Sequence, residues 1–253
     1  MFKRQVGMFS MTSLLSYLSG ITATAIVVTG WIAGLKLYAI NKRTPSKLLP
    51  WASIVLVTFG SFYTGTMVYF FYLLGTGTQF TPLVIGAWLC YSVLPLAAAC
   101  AIYVGCSLFK PSLAKVLFVI FLAMGIIYVL ILWFSPLAKD TPTEAITAAV
   151  QVTATAGELI DIENINIAKL LVAAIIVTLF VFLVGGFAYL AKKASGAERK
   201  TAVFFAIGFG FFLTAAIGDS LIGPEATILL LIRLIMLTAF VFLYVAASRM
   251  KSK

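Results

Sequence analysis

Residues 116–134 read VLFVIFLAMGIIYVLILWF, nineteen residues without a charged side chain. A helix that crosses the hydrocarbon core of a bilayer needs about 20 predominantly apolar residues. A helix on the surface of a soluble protein would instead carry a polar face at helical spacing. This run therefore predicts a transmembrane helix, and stretches like it recur on both sides of it.

The composition of the whole chain supports this interpretation. Of its 253 residues, 62% are hydrophobic and 10% are charged, whereas about a quarter of a soluble domain is charged. The apolar residues come in long blocks and not in the alternating pattern of barrel strands. We predict an all-α polytopic membrane protein, one transmembrane domain over residues 1–253. Its predicted spans are 16–40, 51–74, 83–109, 114–136, 168–191, 201–222 and 226–248, with an outer loop at 137–167.

The basic residues predict the orientation of these seven spans. Short cytoplasmic loops carry an excess of Lys and Arg, and with seven spans most of the basic residues fall on one side. The residues on that side are Lys42, Arg43, Lys47, Lys110, Lys115, Lys192, Lys193, Arg199, Lys200, Arg249, Lys251 and Lys253. We therefore expect a multi-pass protein of the cell membrane with its N-terminus outside and its C-terminus in the cytoplasm. We interpret the net charge of +10 as basic residues that orient the protein in the membrane and contact anionic lipid headgroups. No nucleic acid is expected as a partner.

The chain has no histidine. This removes the commonest general base and the usual Ser-His and Cys-His nucleophilic sites. Cys90, Cys100 and Cys106 fall in one apolar block and are interpreted as small packing residues. We expect no enzyme, no catalytic residues, no cofactor and no metal centre.

The outer loop contains a predicted surface helix. Thr141 to Glu144 form a capping box with proline at the first helical position. Ile146, Val150 and Thr153 share a face at helical spacing, so the helix is predicted to continue through them. The following residues, from Leu159 to Ile167, alternate aliphatic with polar side chains and are typical of an extended segment.

Small residues recur at a spacing of four along the sixth predicted span. Such a ridge lets another backbone approach closely, which is how helices gain packing energy in lipid. The ridge consists of Ala202, Ala206, Gly210, Thr214 and Gly218. Gly30 and Gly34 predict a smaller ridge of the same kind in the first span. Packing within the bundle is the main interpretation, and homodimerisation is the alternative.

Arg233 is a charge well inside an apolar span. A charge at such a depth is costly and is by default a candidate functional residue with a partner to be identified. Asp219, near the end of the sixth span, is the partner we expect, and Glu225 is the second choice. The alternatives are a structural ion pair, or an arginine that extends to the headgroups.

The second span is the most polar of the seven. Ser61, Thr64 and Tyr72 are candidates for lining a polar cavity at the centre of the bundle. Hydroxyl groups also bond to backbone carbonyls in any bundle, so packing remains the alternative for these three residues. Pro95 is predicted to kink the third span, because proline lacks the backbone donor that a continuous helix needs.

Short matches recur at an offset of about 150 residues, such as Val28-Thr29 with Val177-Thr178 and Phe59-Gly60 with Phe209-Gly210. These matches suggest two parallel triplets, spans one to three and five to seven, joined by span four. Parallel repeats are one known construction of membrane carriers. This observation keeps a transporter or channel of 3+1+3 architecture open as a function.

The overall plan resembles the seven-helix sensor modules at the N-terminus of membrane histidine kinases and related archaeal membrane proteins. The residues that carry the resemblance are Ile232 to Leu237 in the last span and Ile217-Gly218-Asp219 before it. The resemblance implies a sensor or receptor-like bundle. Because only Ser248 to Lys253 follow the last apolar residues, we expect it to signal through a separate cytoplasmic protein. A scaffold or accessory subunit that binds other membrane subunits is a further alternative.

Overall fold

The computed structural model describes residues 11–78, 80, 84–134, 150–153, 161–221 and 226–250. Over these residues the chain is almost entirely helical. The elements in chain order are α1 Met11–Arg43, α2 Leu49–Ser61, α3 Thr64–Thr76, α4 Val84–Tyr91, α5 Leu94–Phe109, α6 Pro111–Phe134, β1 Val150–Thr153, β2 Asp161–Asn164, α7 Asn166–Leu179, a π-helical turn Phe180–Val184, α8 Gly185–Lys193, α9 Gly196–Leu221 and α10 Ala226–Arg249.

Six helical segments among the described residues are long and apolar enough to cross a membrane. They are Tyr17–Arg43, Val84–Phe109, Pro111–Phe134, Asn166–Lys193, Gly196–Asp219 and Ile228–Arg249. The bent pair α2 and α3 passes the same test when its two helices are taken together, with an angle of 41° between them. These six or seven segments coincide with the predicted spans, and they indicate a multi-pass membrane protein.

The helices form a closed ring. α1 packs against α2 and α10, α2 packs against α5, α5 packs against α8, and α9 lies between α8 and α10. α6 packs on the outside of this ring, mainly against α5, and only five of its residues are buried, Ala114, Phe121, Gly125, Tyr128 and Leu132. The uncharged run that most clearly predicts a membrane span therefore belongs to the candidate span with the smallest buried share.

Three of the ring segments are interrupted within their length. One of them is the segment of α7 and α8, which contains the π-helical turn Phe180–Val184. Between α2 and α3, Phe62 and Tyr63 form a turn, which we call the α2–α3 bend. Ser61 Oγ donates back to the carbonyl of Val57 at 2.8 Å, a bond of the type that often bends helices. Between α4 and α5 the break precedes Pro95, which lies in the first turn of α5. The third predicted span is therefore interrupted next to Pro95, while the kink itself stays a prediction.

Glycine allows the closest helix contacts. A Cβ atom on Gly30 would lie 2.8 Å from Gly60 Cα, and one on Gly34 would lie 2.8 Å from the Ser53 carbonyl oxygen. The predicted ridge of the first span is therefore a true seam with α2. On α9 the close approach is at Gly208, where a Cβ would lie 2.7 Å from a carbon of Leu243.

The ridge predicted on the sixth span is packed more loosely. Ala202 is buried and Ala206 is half-buried, whereas Thr214 is exposed. Cβ atoms on Gly210 and Gly218 would meet their nearest neighbours at 3.9 and 3.5 Å, which is ordinary contact. These residues face neighbours without bringing two backbones together.

The predicted outer loop contains a pair of antiparallel strands. β1 pairs with β2 from Val150 opposite Asn164 to Thr153 opposite Asp161. The helix predicted through Val150 and Thr153 is therefore wrong at these residues, whereas the extended segment is confirmed for Asp161–Asn164. Val and Thr are β-branched and favour strands once a partner strand is present. The capping box at 141–144 lies outside the described residues.

Candidate functional site

A cavity of about 100 Å³ lies inside the ring of helices. We call it the central cavity. Its walls come from the α2–α3 segment, α4 and α5, α7, α9 and α10, and none of the lining side chains that the structure describes belongs to α1 or α6. Its lining residues are Phe59, Phe62, Tyr63, Thr66, Cys90, Tyr91, Leu94, Ala97, Ala98, Val172, Ile175, Ile176, Leu179, Phe212, Leu213, Ala216, Asp219, Arg233 and Met236. An engineered apolar cavity of similar size, about 150 Å³, binds benzene.

Among the lining residues that the structure describes, the charged ones are Arg233 and Asp219. Arg233 lies on α10, seven residues after Ala226, which places it about 10 Å along the helix at 1.5 Å per residue. Its side chain is 3% exposed. Asp219 lies two residues before the end of α9. The structure therefore brings the arginine and its first expected partner to one cavity, with a cation and an anion in its wall.

Tyr63 connects these two charged residues. Its hydroxyl lies 3.3 Å from Asp219 Oδ2 and 2.8 Å from Met236 Sδ, both as potential acceptors. The Arg233 guanidinium carbon lies 5.8 Å from the centroid of the Tyr63 ring, within the range of a cation–π contact. One side chain from the α2–α3 bend thus contacts both α9 and α10.

The helix breaks lie next to the cavity. Tyr63 belongs to the α2–α3 bend, Tyr91 and Leu94 flank the break between α4 and α5, and Leu179 directly precedes the π-helical turn. Interrupted helices within a membrane are tolerated where the freed backbone is buried in protein or lines a cavity. π-Helical turns are also frequent at functional sites. Three irregular segments around one cavity distinguish this part of the bundle from the regular helices α1 and α6.

A tyrosine fixes α4 beside the cavity. The backbone N–H of Gly86, in the first turn of α4, donates to the Tyr69 hydroxyl at 2.8 Å. The first four N–H groups of a helix have no partner within the helix, so this hydroxyl caps α4 from a neighbouring segment. A Cβ on Gly65 would lie 2.7 Å from Cys90 Sγ. α3 and α4 are therefore held together by a polar cap and a glycine contact.

The hydroxyl residues proposed from the sequence lie outside the central cavity. Ser61 Oγ accepts a bond from Trp31 Nε1 at 2.9 Å and so faces α1. Thr64 begins α3 and is not among the lining residues. Tyr72 is 38% exposed and packs edge-on against Phe80. Glu225, the second expected partner of Arg233, lies outside the described residues.

The second segment instead faces the cavity with Phe59, Phe62, Tyr63 and Thr66. These positions have the spacing i, i+3, i+4 and i+7 of a single helix face. That face combines aromatic with polar side chains, but Ser61 and Thr64 on other sides of the segment are polar as well, so the sequence alone does not show which face is turned inward. Cys90 and Tyr91 were missed because they lie in an apolar block in which nothing local distinguishes a wall of a cavity from ordinary packing.

The arrangement is suited to binding. One part of the wall carries Arg233, Asp219 and the Tyr63 hydroxyl, which together donate and accept hydrogen bonds. The rest is apolar, with Val172, Ile175 and other aliphatic or aromatic side chains. Small-molecule sites usually combine a mostly apolar wall with a few convergent polar groups.

Comparison with known proteins adds no family to this description. No protein-family model matches the chain, and no curated protein matches it. The function therefore has to be inferred from the bundle and its cavity.

Proposed function

We propose that this protein is a seven-helix membrane sensor that binds a small molecule in the central cavity and signals to a separate cytoplasmic protein. The observation that carries the proposal is the meeting of Tyr63, Asp219 and Arg233 in one cavity, because these residues come from three different segments of the bundle. The resemblance to seven-helix sensor modules supports the same function.

In the proposed sensor, α2 and α3 together form one span. Each has 13 residues, too few to cross a hydrocarbon core that requires about 20. Together they give a seventh span, and the basic loops then lie on the cytoplasmic side of the cell membrane. The N-terminus would be outside and the C-terminus inside. Protease accessibility of an epitope tag at each end of the chain, in sealed right-side-out vesicles, tests this, and two tags on the same side would refute it.

The ligand we propose is a small molecule with an apolar body and one hydrogen-bonding group. The body would pack against Val172, Ile175 and Leu179, and the polar group would bond to Arg233 or Tyr63. With this orientation the cavity lies in the outer half of the bundle, because Asp219 is near the end of α9 that faces outside. We therefore expect the ligand to enter from the outer leaflet.

The signal would pass through the Tyr63 contacts. A ligand whose polar group replaces the Tyr63 hydroxyl at Asp219 changes the contact between the α2–α3 bend and α9. A ligand shifts a conformational equilibrium only by its difference in affinity for the two states. α10 carries both Arg233 and Met236 and ends at Arg249. Its movement would therefore reach the side of the bundle that has the basic loops, where a partner with an acidic surface can bind.

Ligand binding can be tested with the native cysteines. Cys90 lines the cavity, whereas Cys100 is fully buried and does not. We would measure thermal unfolding of the purified protein with a panel of small carboxylic acids, alcohols and amides. Compounds that raise the melting temperature should slow labelling of Cys90 by N-ethylmaleimide, measured by mass spectrometry, without changing the labelling of Cys100. A panel without any such compound would count against ligand binding.

The partner is tested separately. Affinity purification of the tagged chain from native membranes, after mild solubilisation, should recover one cytoplasmic protein in stoichiometric amount. Recovery of the chain alone would refute signalling through a separate protein while leaving ligand binding intact.

A transporter is the second candidate function, and the position of the cavity favours it. Two walls come from the first triplet of spans and three from the last triplet, so a path between the triplets would pass through the cavity. Interrupted helices also line the substrate sites of many carriers. Flux of the identified ligand into proteoliposomes tests this function. Transport that is altered by Arg233→Ala would favour the carrier over the sensor.

A further inference from the structure

Lys36 lies in the groove between α1 and α10, at the end of the bundle opposite the central cavity. Its Nζ donates to Ser248 Oγ at 2.6 Å and to the Tyr244 hydroxyl at 3.3 Å. It also lies 4.3 Å from the centroid of the Tyr244 ring. Within the described part of the chain, these partners are two hydroxyls and an aromatic ring, all of them uncharged. The ammonium is positioned by its neighbours but not neutralised by them.

The depth of Lys36 places it at the level of lipid headgroups. Ser248 is the last residue but one of α10, and α10 ends at Arg249. If α10 spans the hydrocarbon core, its last turn lies at the membrane surface. α1 continues from Lys36 to Arg43, about 10 Å further at 1.5 Å per residue. Lys36 therefore lies where the phosphates of one leaflet are.

The groove is open to lipid. Lys36 is half-buried, and Ser248 and Tyr244 are exposed. One turn deeper on the same two helices, Ile32 and Val241 are 51% and 52% exposed. An acyl chain can pack on this apolar surface while the headgroup reaches Lys36. An ammonium has three donors, and two are used by Ser248 and Tyr244, so the third can reach a phosphate oxygen.

We propose that the α1–α10 groove binds an anionic phospholipid, with its phosphate on Lys36. The apolar surface below the ammonium favours a lipid over an acidic side chain of a partner protein, because a protein side chain would leave Ile32 and Val241 uncovered. The site is independent of the central cavity, so its failure would leave the proposed function unchanged.

Native mass spectrometry of the purified full chain tests this site. The protein is supplied with equal amounts of phosphatidylglycerol and phosphatidylcholine, and lipid adducts are counted as the detergent is stripped. The wild type should retain one phosphatidylglycerol preferentially. Lys36→Gln should lower this retention about fivefold, the size expected for one basic residue at a lipid surface.

The matched control is Lys42→Gln on the same helix. Lys42 also lies over an aromatic ring, 5.1 Å from the Tyr38 centroid, but it has no part in the groove. Lys42→Gln should leave the retention of phosphatidylglycerol unchanged. Equal losses in the two variants would overturn the proposal in favour of diffuse attraction. If Lys36→Gln does not fold, Ser248→Ala decides the question, because it keeps every charge. Ser248→Ala removes a hydroxyl that positions the Lys36 ammonium, so it should lower the retention of phosphatidylglycerol. Unchanged retention would overturn the site.

Discussion

The Tyr63 hydroxyl lies 3.3 Å from Asp219 Oδ2 and so connects the bend of the second span to the end of α9. The same ring lies beside the buried guanidinium of Arg233 on α10. The consecutive helices α9 and α10 therefore meet the bend, which is about 150 residues earlier in the chain, at one aromatic side chain. Tyr63 and its two charged neighbours should therefore contribute to both the stability of the bundle and ligand binding.

Removing the Tyr63 hydroxyl should destabilise the bundle. Tyr63→Phe keeps the ring but leaves the Asp219 carboxylate with one hydrogen bond fewer, and bonds to charged groups contribute about 1.5–3 kcal/mol. We expect a melting temperature several degrees lower in mild detergent. Tyr72→Phe is the control, since Tyr72 is exposed, and it should melt like the wild type. Equal melting temperatures for the two variants would contradict a structural role of the Tyr63 hydroxyl.

The charges of Arg233 and Asp219 should be coupled. Arg233→Met and Asp219→Asn each leave a charge in the cavity without its counter-charge, at a cost of about 3–5 kcal/mol for a fully buried pair. Asp219 is only half-buried, so we expect smaller values. The double variant should be more stable than the sum of the two effects predicts, by about 1–3 kcal/mol.

Unfolding in a denaturing detergent, followed by circular dichroism, measures this double-mutant cycle. The control cycle combines Arg233→Met with Lys36→Gln at the opposite end of the bundle, and its effects should add. Additive effects in both cycles would mean that Arg233 and Asp219 share a cavity without interacting.

Filling the central cavity should block ligands without harming the fold. Ala98 lines the cavity, and the adjacent Ala99 is equally buried without lining it. Ala98→Leu places the added carbons in empty space, so stability should be kept or increased and Cys90 labelling should slow. Ala99→Leu forces the same carbons into packed helices, which costs about 1–3 kcal/mol. Similar losses of stability in both variants, measured by thermal unfolding, would mean that the cavity cannot accept a side chain.

The glycine contact between α3 and α4 should be sensitive to one methyl group. Gly65→Ala places a Cβ against the Gly86 carbonyl and 2.7 Å from Cys90 Sγ, and the backbone carbonyl cannot easily move. Overpacking of this kind costs about 1–3 kcal/mol. Gly75, on the same helix, has no atom within 4 Å of the corresponding position. Gly75→Ala should therefore raise the free energy of unfolding by about 0.5–1 kcal/mol, because alanine favours the helix more than glycine does. Thermal unfolding of both variants should show shifts of opposite sign.

Part of the site could be predicted from the sequence. Arg233 stands out because a charge within an apolar run is rare and costly, and Asp219 lies near the end of the preceding span. Pro95 lacks a backbone donor and so predicts an irregular helix around it, and the break between α4 and α5 lies next to it. These signals are local, since each depends on one residue and the segment around it.

The strand pair and the lining of the second segment depended on contacts between distant residues. Val150–Thr153 became a strand by pairing with Asp161–Asn164, although its own spacing fitted a helix. Ser61 has the same polarity as Thr66, but Ser61 faces Trp31 on α1 whereas Thr66 lines the cavity. Polarity marked the second segment as unusual without indicating which of its faces was turned inward.

The sequence by itself determined that the chain is a set of long apolar helices, how many there are to within one, and which of them has an arginine well inside its apolar run. Only the tertiary structure decided that α6 lies outside the ring, that Gly208 makes the close contact with α10, and that Tyr63 contacts Asp219. The reason is that lipid is as apolar as a packed helix interface. Both faces of a spanning helix are therefore apolar, and the periodicity that reveals the buried face of a soluble helix is absent.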